Sequence, residues 1–513
     1  MRRQAGRSVL AGAVVLALAA CAGRRAAPAA ATPTLPASAQ AVPASSRSVQ
    51  AWLTTGDGTV RLARQPDLML ADAPSRAGYA RSFDQPQALR GTAPAPVVVA
   101  IDPAGRRQAI AVFGAALSDA SASLIHDRLD ADSRTALLRE LFDAESGLGL
   151  GLLRIAVGSS EFARSRYSLD DVAPGQQDPN LAQVSIEADR TAVLPVARAA
   201  LALNPALRFI ATPYSAPGWM KSSDSLVKGT LRPDATLAYA RYLKRFVDLY
   251  RDEGVPVFAL TLQHEPRAEP ADAPGMRLDA AARSALIGQL APLLGQAPAL
   301  LELDDSWDAA SEALKVLADA GAGPHVAGTA WHCYAGDVAA QTTVHDAAPD
   351  KAIYLTECSG GTWAPGWGDS LVHFGGTAIV GGVRHWAAGV MLGNLALDEA
   401  GGPRIGGCVG CRGVVTLGAD GIVVRNPEYY ALAHASRFVR PGAVALVSTG
   451  TVDGVSNAAF ANADGTLVLV VVNGAAVARQ IQVTDGAASF STGLPAASMA
   501  TYLWQPGINV LRD

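Results

Sequence analysis

From residue 98 to 438 short apolar runs alternate with longer stretches whose apolar positions recur at helical spacing. VVVAI, AIAVFG, GLLRIAVG, RFIATPYS, VFALTLQ, LLELDD, VAGTAWHCY, AIYLTE and VMLGNLAL read as strands; ATLAYARYLKRFVDLYRDEG and DAAARSALIGQLAPLLGQ read as amphipathic helices between them. Repetition of strand and helix over this length predicts a parallel α/β fold, and a closed (β/α)8 TIM barrel suits it best. A doubly wound open sheet is the alternative, but no G-x-G-x-x-G follows a first strand.

The pattern changes on either side. Residues 439–513 hold VALVSTG, SNAAFANADG, TLVLVVVNG, RQIQVTDG and ASMATYLW, short strands separated by Asn-Gly and Asp-Gly turns. Residues 48–97 open with VQAWLTTGDGTVRLARQP, which reads as a hairpin. Both ends together predict one antiparallel β-sandwich attached to the barrel. Ahead of it, residues 22–47 are mostly Ala, Pro and Ser, too poor in apolar bulk for a core, and read as a flexible tether. Residues 1–21 combine MRRQAGR, a short apolar run and Leu18-Ala19-Ala20-Cys21, the form of a lipoprotein signal with Cys21 as the lipidation candidate. The expectation is an exported cell-envelope lipoprotein, membrane-bound through a lipid anchor only. The alternative is a secreted protein whose signal is cut elsewhere, with Cys21 incidental.

Composition narrows the partners. Of 513 residues half are hydrophobic and 17% charged, with a net charge of −4. No basic stretch follows the first 25 residues, which argues against nucleic acid as a partner. Cys408 and Cys411 share the Gly-rich segment GGPRIGGCVGCRG, where a short-loop disulfide is expected. No second cysteine or histidine pair at zinc-site spacing accompanies them, so no metal is expected. Cys333 and Cys358 follow His332 and Glu357 and are expected to be free, buried thiols.

The candidate chemistry lies at strand ends. VFALTLQ runs on into His264-Glu265-Pro266, and AIYLTE ends on Glu357. In a barrel the C-terminal strand ends converge on one mouth, so both glutamates face the same pocket. Two carboxyl groups there are the equipment of glycoside hydrolysis, one donating a proton and one attacking. A strand-end glutamate also serves in ordinary salt bridges, so its company matters. Arg154, ending LLRIAVG, can hold a carboxylate ionised, while Tyr214, Trp219, His332, Tyr334 and Trp386 are placed to stack on or bond a sugar ring.

These motifs together resemble glycoside hydrolase family 30, the group of glucosylceramidases and β-1,6-glucanases. The resemblance is carried by AWLTTGDG, FGAALSDASASLI, LRIAVGSSEFARSRYSLDD, ATPYSAPGWMKSS, TLQHEP, AWHCYAGD, YLTECSGG, GNLALDEAGGP and NPEYYALAHASRFVRPGA, in order along the chain. It implies a (β/α)8 barrel with a β-sandwich, acting with retention of configuration and without a cofactor. By position, the resemblance makes Glu265 the acid/base and Glu357 the nucleophile, with Arg154 supporting it. It makes Glu161, Tyr214, Trp219, His264, His332, Tyr334 and Asn394 substrate-binding. GGCVGCRGVVTL and the segment around Asn426 look most like the microbial branch of glucanases and β-glucosidases.

Two positions depart from the family pattern. His264 stands where relatives have asparagine, whose amide bonds the sugar 2-hydroxyl; Gly393 stands where they have tryptophan before Asn394, which predicts an opened subsite beneath the sugar. A nearby Glu357 charge is expected to raise the pKa of Glu265 so that it holds its proton. The expected substrate is a β-glucosidic carbohydrate or glycoconjugate: β-1,6-glucan, a β-glucoside or a glucosylceramide-like molecule. The alternatives are a retaining hydrolase of xylan, galactoside or fucoside, or an envelope lipoprotein that binds carbohydrate or serves as a scaffold without turnover.

Overall fold

The computed structural model describes residues 47–72 and 95–506. The lipidation candidate Cys21 and the tether up to residue 46 lie outside the described residues. Eight parallel strands close a barrel in chain order: β1 (Val112–Ala116), β2 (Leu152–Val157), β3 (Arg208–Pro213), β4 (Val257–Thr261), β5 (Ala299–Ser306), β6 (Val326–His332), β7 (Ala352–Glu357) and β8 (Ala387–Asn394). β8 pairs back onto β1, with Gly389 opposite Val112. The interior is filled by one cluster to which every strand contributes a residue: Val112, Leu152, Ile210, Ala259, Leu301, Ala330, Tyr354 and Met391. The barrel is therefore a packed core, and chemistry is confined to its ends.

The helical periods are realised as expected. Helix Thr236–Asp252 buries Tyr239, Leu243, Phe246 and Tyr250 along one stripe. Helix Ala280–Leu294 starts where the Asp279 side chain accepts the Ala282 N–H at 2.9 Å.

The run VVVAI is not a barrel strand. It begins the long strand Val97–Ala109, which pairs antiparallel with Val444–Ser448 and, through residues 97–100, parallel with Arg479–Thr484. Val97, Val99 and Ile101 point into the sandwich core beside Leu469, Ile481, Phe490 and Trp504. The first strand, Ser48–Thr54, lies between Ala63–Met69 and the last strand, Ser498–Trp504, so both ends of the described chain build this domain.

The two domains are joined by buried contacts. His434, in helix Pro427–Ser436, lies 2.8 Å from Thr501 Oγ1 through Nδ1 and 2.8 Å from Thr54 Oγ1 through Nε2. Trp52 packs on Phe438 with ring centroids 4.6 Å apart. Among the described residues no helix is long and apolar enough to cross a membrane.

Cys408 and Cys411 form the expected disulfide. Cys333 and Cys358 are bonded as well, which corrects the expectation of free thiols. The pairing of β6 with β7 shifts register between Trp331 and His332, setting His332 opposite Glu357. That shift brings the next residue of each strand within 5.2 Å, Cα to Cα.

Candidate active site

At the C-terminal mouth of the barrel, β2, β4, β5, β6 and β7 each deliver a polar side chain to one cluster. Arg154 of β2 is buried and donates to Glu357 Oε2, to Asp304 Oδ2 at 2.8 Å and to Thr212 at 3.0 Å. Tyr334 reaches the other Glu357 oxygen at 2.7 Å. His264 Nε2 stands 3.4 Å from Glu357 Oε2, in ion-pair range but not aligned as a hydrogen bond. Its ring stacks on Tyr214 with centroids 4.0 Å apart. His332 bridges the cluster, with Nδ1 3.1 Å from Glu265 Oε1 and Nε2 3.1 Å from Asp304 Oδ1.

One ligand atom from each of His264, Glu265, His332 and Glu357 lies within 4.8 Å of the others. Such a set could hold a cation, but Arg154 and the two imidazoles already supply positive charge to these carboxylates. A metal ion would have to compete with the guanidinium for Glu357.

Charge is balanced tightly inside this burial. Desolvation opposes ionisation of Glu357, yet His332, Arg154 and His264 outweigh it and hold the carboxyl well below its ordinary value. Burial likewise works against the positive form of His332, but the Glu357 charge and the bonds to Asp304 and Glu265 lift it to about 10. Glu265 departs from expectation: burial would raise it, but His264 and His332 more than offset burial and the Glu357 charge, holding it below the usual carboxylate value. Glu161, by contrast, is pushed up to about 7 by burial, with the charges of Glu357 and Glu265 adding to the effect and His264 opposing it.

The cluster forms the floor of a cavity of about 510 Å³ whose walls include Glu161, Tyr334, Ser359, Trp363 and the Cys408–Cys411 loop. A narrow recess below Glu357 is lined by Arg154, Tyr214, Gly393 and Asn394. Two residues nominated from the sequence do not join this site. Trp219 is buried and donates to Asp170 at 3.1 Å, facing a separate small cavity. Trp386 immediately precedes β8 and so lies at the opposite, N-terminal end of the barrel.

Asp304 was not nominated, although it is the hub of the cluster. Its carboxylate accepts from Arg154, from Thr261 at 2.9 Å and from Thr356 at 2.8 Å, besides facing His332. The signal was the paired acids closing LLELDD. A bulge hid its meaning: Leu303 and Asp304 have φ of 77° and 62°, and β5 slips register against β6 there, turning Asp304 inward. Trp363, 57% exposed on the cavity wall, was also missed because it lies outside any periodic element.

Comparison with known proteins agrees with this architecture over both domains. The glycosyl hydrolase family 30 TIM-barrel model matches residues 110–439, and the family 30 β-sandwich model matches residues 442–502. The chain belongs to glycosyl hydrolase family 30.

Among family 30 relatives, the chain is 32% identical to the endo-1,6-β-D-glucanase of Neurospora crassa over 392 residues, covering 72% of this chain and 80% of that one. It is 27% identical to the lysosomal acid glucosylceramidase of Mus musculus, covering 80% and 84%. The solved endo-β1,6-glucanase BT3312 superposes with a TM-score of 0.77 at 27% identity, covering 89% of this chain and 99% of that chain. The chain is thus a glycosidase with the family 30 barrel and sandwich.

At Gly393, where the family pattern has tryptophan, Ser359 is the nearest side chain. A Cβ there would lie 2.0 Å from Ser359 Oγ and 3.0 Å from Ser359 Cβ, so Ser359 fills the place a side chain would take. At the other departure, His264, the ring lies beside the strand-end glutamate, with Nε2 3.4 Å from Glu357 Oε2.

Proposed function

We propose that this family 30 glycosidase cleaves β-glucosidic bonds, with β-1,6-linked glucan the first substrate to test, by a retaining double displacement. The observation that carries the reading is the short reach between the two carboxyl groups, with one oxygen of each inside 4.8 Å. Retaining enzymes hold their carboxyls about 5–5.5 Å apart, whereas inverting ones leave about 6.5–9.5 Å for a water.

Glu357 is the nucleophile, held ionised and oriented by Arg154 on one oxygen and Tyr334 on the other. It attacks the anomeric carbon as the glycosidic C–O bond breaks, and Glu265 delivers a proton to the departing oxygen. His332 Nδ1 stands 3.1 Å from Glu265 Oε1 and can replace that proton as the departing oxygen draws it off. Asp304 keeps the other ring nitrogen engaged during that transfer. Glu265 then takes a proton from water and returns it to His332 Nδ1, while the water oxygen displaces Glu357 and restores the starting configuration. His264, with Nε2 3.4 Å from Glu357 Oε2, adds to the positive charge that holds the nucleophile ionised.

The test is incubation with a 2-deoxy-2-fluoro-β-glucosyl fluoride followed by peptide mass spectrometry. A covalent adduct on Glu357 is the expected result. A folded, hydrolytically active sample that forms no adduct, or forms it elsewhere, removes the assignment.

We also propose export with lipidation at Cys21, supported by the apolar run and the Leu18-Ala19-Ala20-Cys21 sequence. Labelled palmitate should enter the wild type and not Cys21→Ser; equal labelling of both rejects the anchor.

A further inference from the structure

A second cavity, of about 440 Å³, opens at the N-terminal end of the barrel, away from the two glutamates. Its wall is built from the end of strand Val97–Ala109, the segment entering β7 and the residue preceding β8. Three cations line it, Arg106, Arg107 and Lys351, together with His345 and Trp386.

The local charge balance is unusual for a chain of net charge −4. Arg107 is partly buried and has no carboxylate in ion-pair range among the described residues; burial and the repulsion of Arg384 both lower its pKa. Arg384 cannot turn away to relieve it, because its Nη1 is held by the carbonyls of Ser448, Thr449 and Asn457. Asp350 lines the same cavity but is taken up by Lys351 at 3.1 Å, and exposed Asp346 pairs with His345 at 3.2 Å, which leaves Arg106 and Arg107 as the cations without a carboxylate among the described residues. A partly desolvated guanidinium without an anion is costly and gains from one.

Two further features point the same way. Trp386 has φ of 76°, a strained conformation for a bulky residue, and its ring is held by His345, stacked at 3.7 Å and 5°, and by Arg107, whose Cζ lies 4.0 Å from the ring centroid. The stack fixes the guanidinium at the cavity wall. Beside it, Gln108 donates its Nε2 to the carbonyls of Val383 and Ala387, which leaves its Oε1 buried and without a donor. Cations that lack an anion and a carbonyl that lacks a hydroxyl describe one kind of occupant.

We propose that this cavity is a binding site for a hydroxylated oxyanion, a sugar carrying a phosphate or a carboxylate, with Arg107 and Arg106 on the anionic group and Gln108 Oε1 on a hydroxyl. The site is remote from the hydrolytic cleft and does not depend on the assignment of Glu265 or Glu357.

Isothermal titration of the purified protein at low ionic strength, with glucose 6-phosphate, glucuronate, inorganic phosphate and glucose in separate runs, tests it. One of the two anionic sugars should saturate a single site, more tightly than inorganic phosphate or glucose. Arg107→Gln should weaken that binding about tenfold or more while hydrolytic activity is kept, and Lys351→Gln should weaken it less. Preference for the phosphate or for the carboxylate names the source of the anion. No saturable binding of either anionic sugar up to about 10 mM, binding no tighter than inorganic phosphate, or an affinity that Arg107→Gln leaves within about twofold overturns the proposal.

Discussion

Glu265 shows why a neighbouring charge cannot be read from one partner. Glu357 alone would raise it, but the two imidazoles that reach the same carboxyls reverse the sign. Strand-end placement brings His264 and His332 to the same mouth, but their contacts with Glu265 and Glu357, which decide the sign, are visible only in the structure. Should Glu265 supply the departing proton, Glu265→Ala loses about 100- to 10,000-fold in kcat/KM on an alkyl β-glucoside. A dinitrophenyl β-glucoside, whose leaving group departs without protonation, should retain most of its glycosylation rate. Equal losses on the two substrates would take the acid role away from Glu265. The residues legible beforehand, Glu265, Glu357, Arg154, His332, Tyr334 and Asn394, lie in a barrel strand, in most cases at its C-terminal end, or in the loop just after one, so the barrel's geometry brings them to one mouth. Asp304 also ends a strand but is reoriented by the bulge at Leu303 and Asp304, which residue type does not reveal.

At the level of elements, eight of the nine apolar runs are barrel strands, because parallel strands buried on both faces read as continuous apolar segments. VVVAI has the same texture for a different reason. Its burial alternates, with Val97, Val99 and Ile101 inside and Val98 and Ala100 exposed, but all five side chains are apolar and the alternation leaves no trace in the sequence. The disulfide joining the ends of β6 and β7 was equally hidden, since it depends on a one-residue slip in their register. Its position, one residue beyond both His332 and Glu357, gives it a stabilising and a positioning role. Replacing both cysteines, Cys333→Ala with Cys358→Ala, should cost about 3 kcal/mol of stability from the loop it closes. The same change should lower kcat severalfold with little change in KM, as measured at a temperature where the variant is folded. A lower melting temperature with unaltered kcat would leave the bridge a purely structural one.

Across the whole molecule, the sandwich and barrel are joined at His434, where an imidazole buried between two threonines is kept neutral. Burial pushes its pKa down to about 3. In the unfolded chain the same ring takes up a proton below about pH 6.5, so the folded state loses stability as pH falls from there toward 3, by at most about 1.4 kcal/mol per pH unit. Glu161, raised to about 7, acts in the opposite sense over part of that range, so the contribution of His434 is read from the difference between proteins. Melting temperatures of wild type and His434→Gln between about pH 4 and 7 should converge as pH falls; parallel curves would show that His434 does not sense pH. The pairing of Ser48–Thr54 with Ser498–Trp504 has a consequence for how the chain comes into being. The first strand has no partner on that side until Ser498–Trp504 has left the ribosome, so the sandwich stays open while the barrel is synthesised. A nascent chain would carry an unsealed β edge throughout synthesis of the barrel, open to capture by a chaperone or to passage through a narrow channel, and closure of the sandwich waits for Ser498–Trp504.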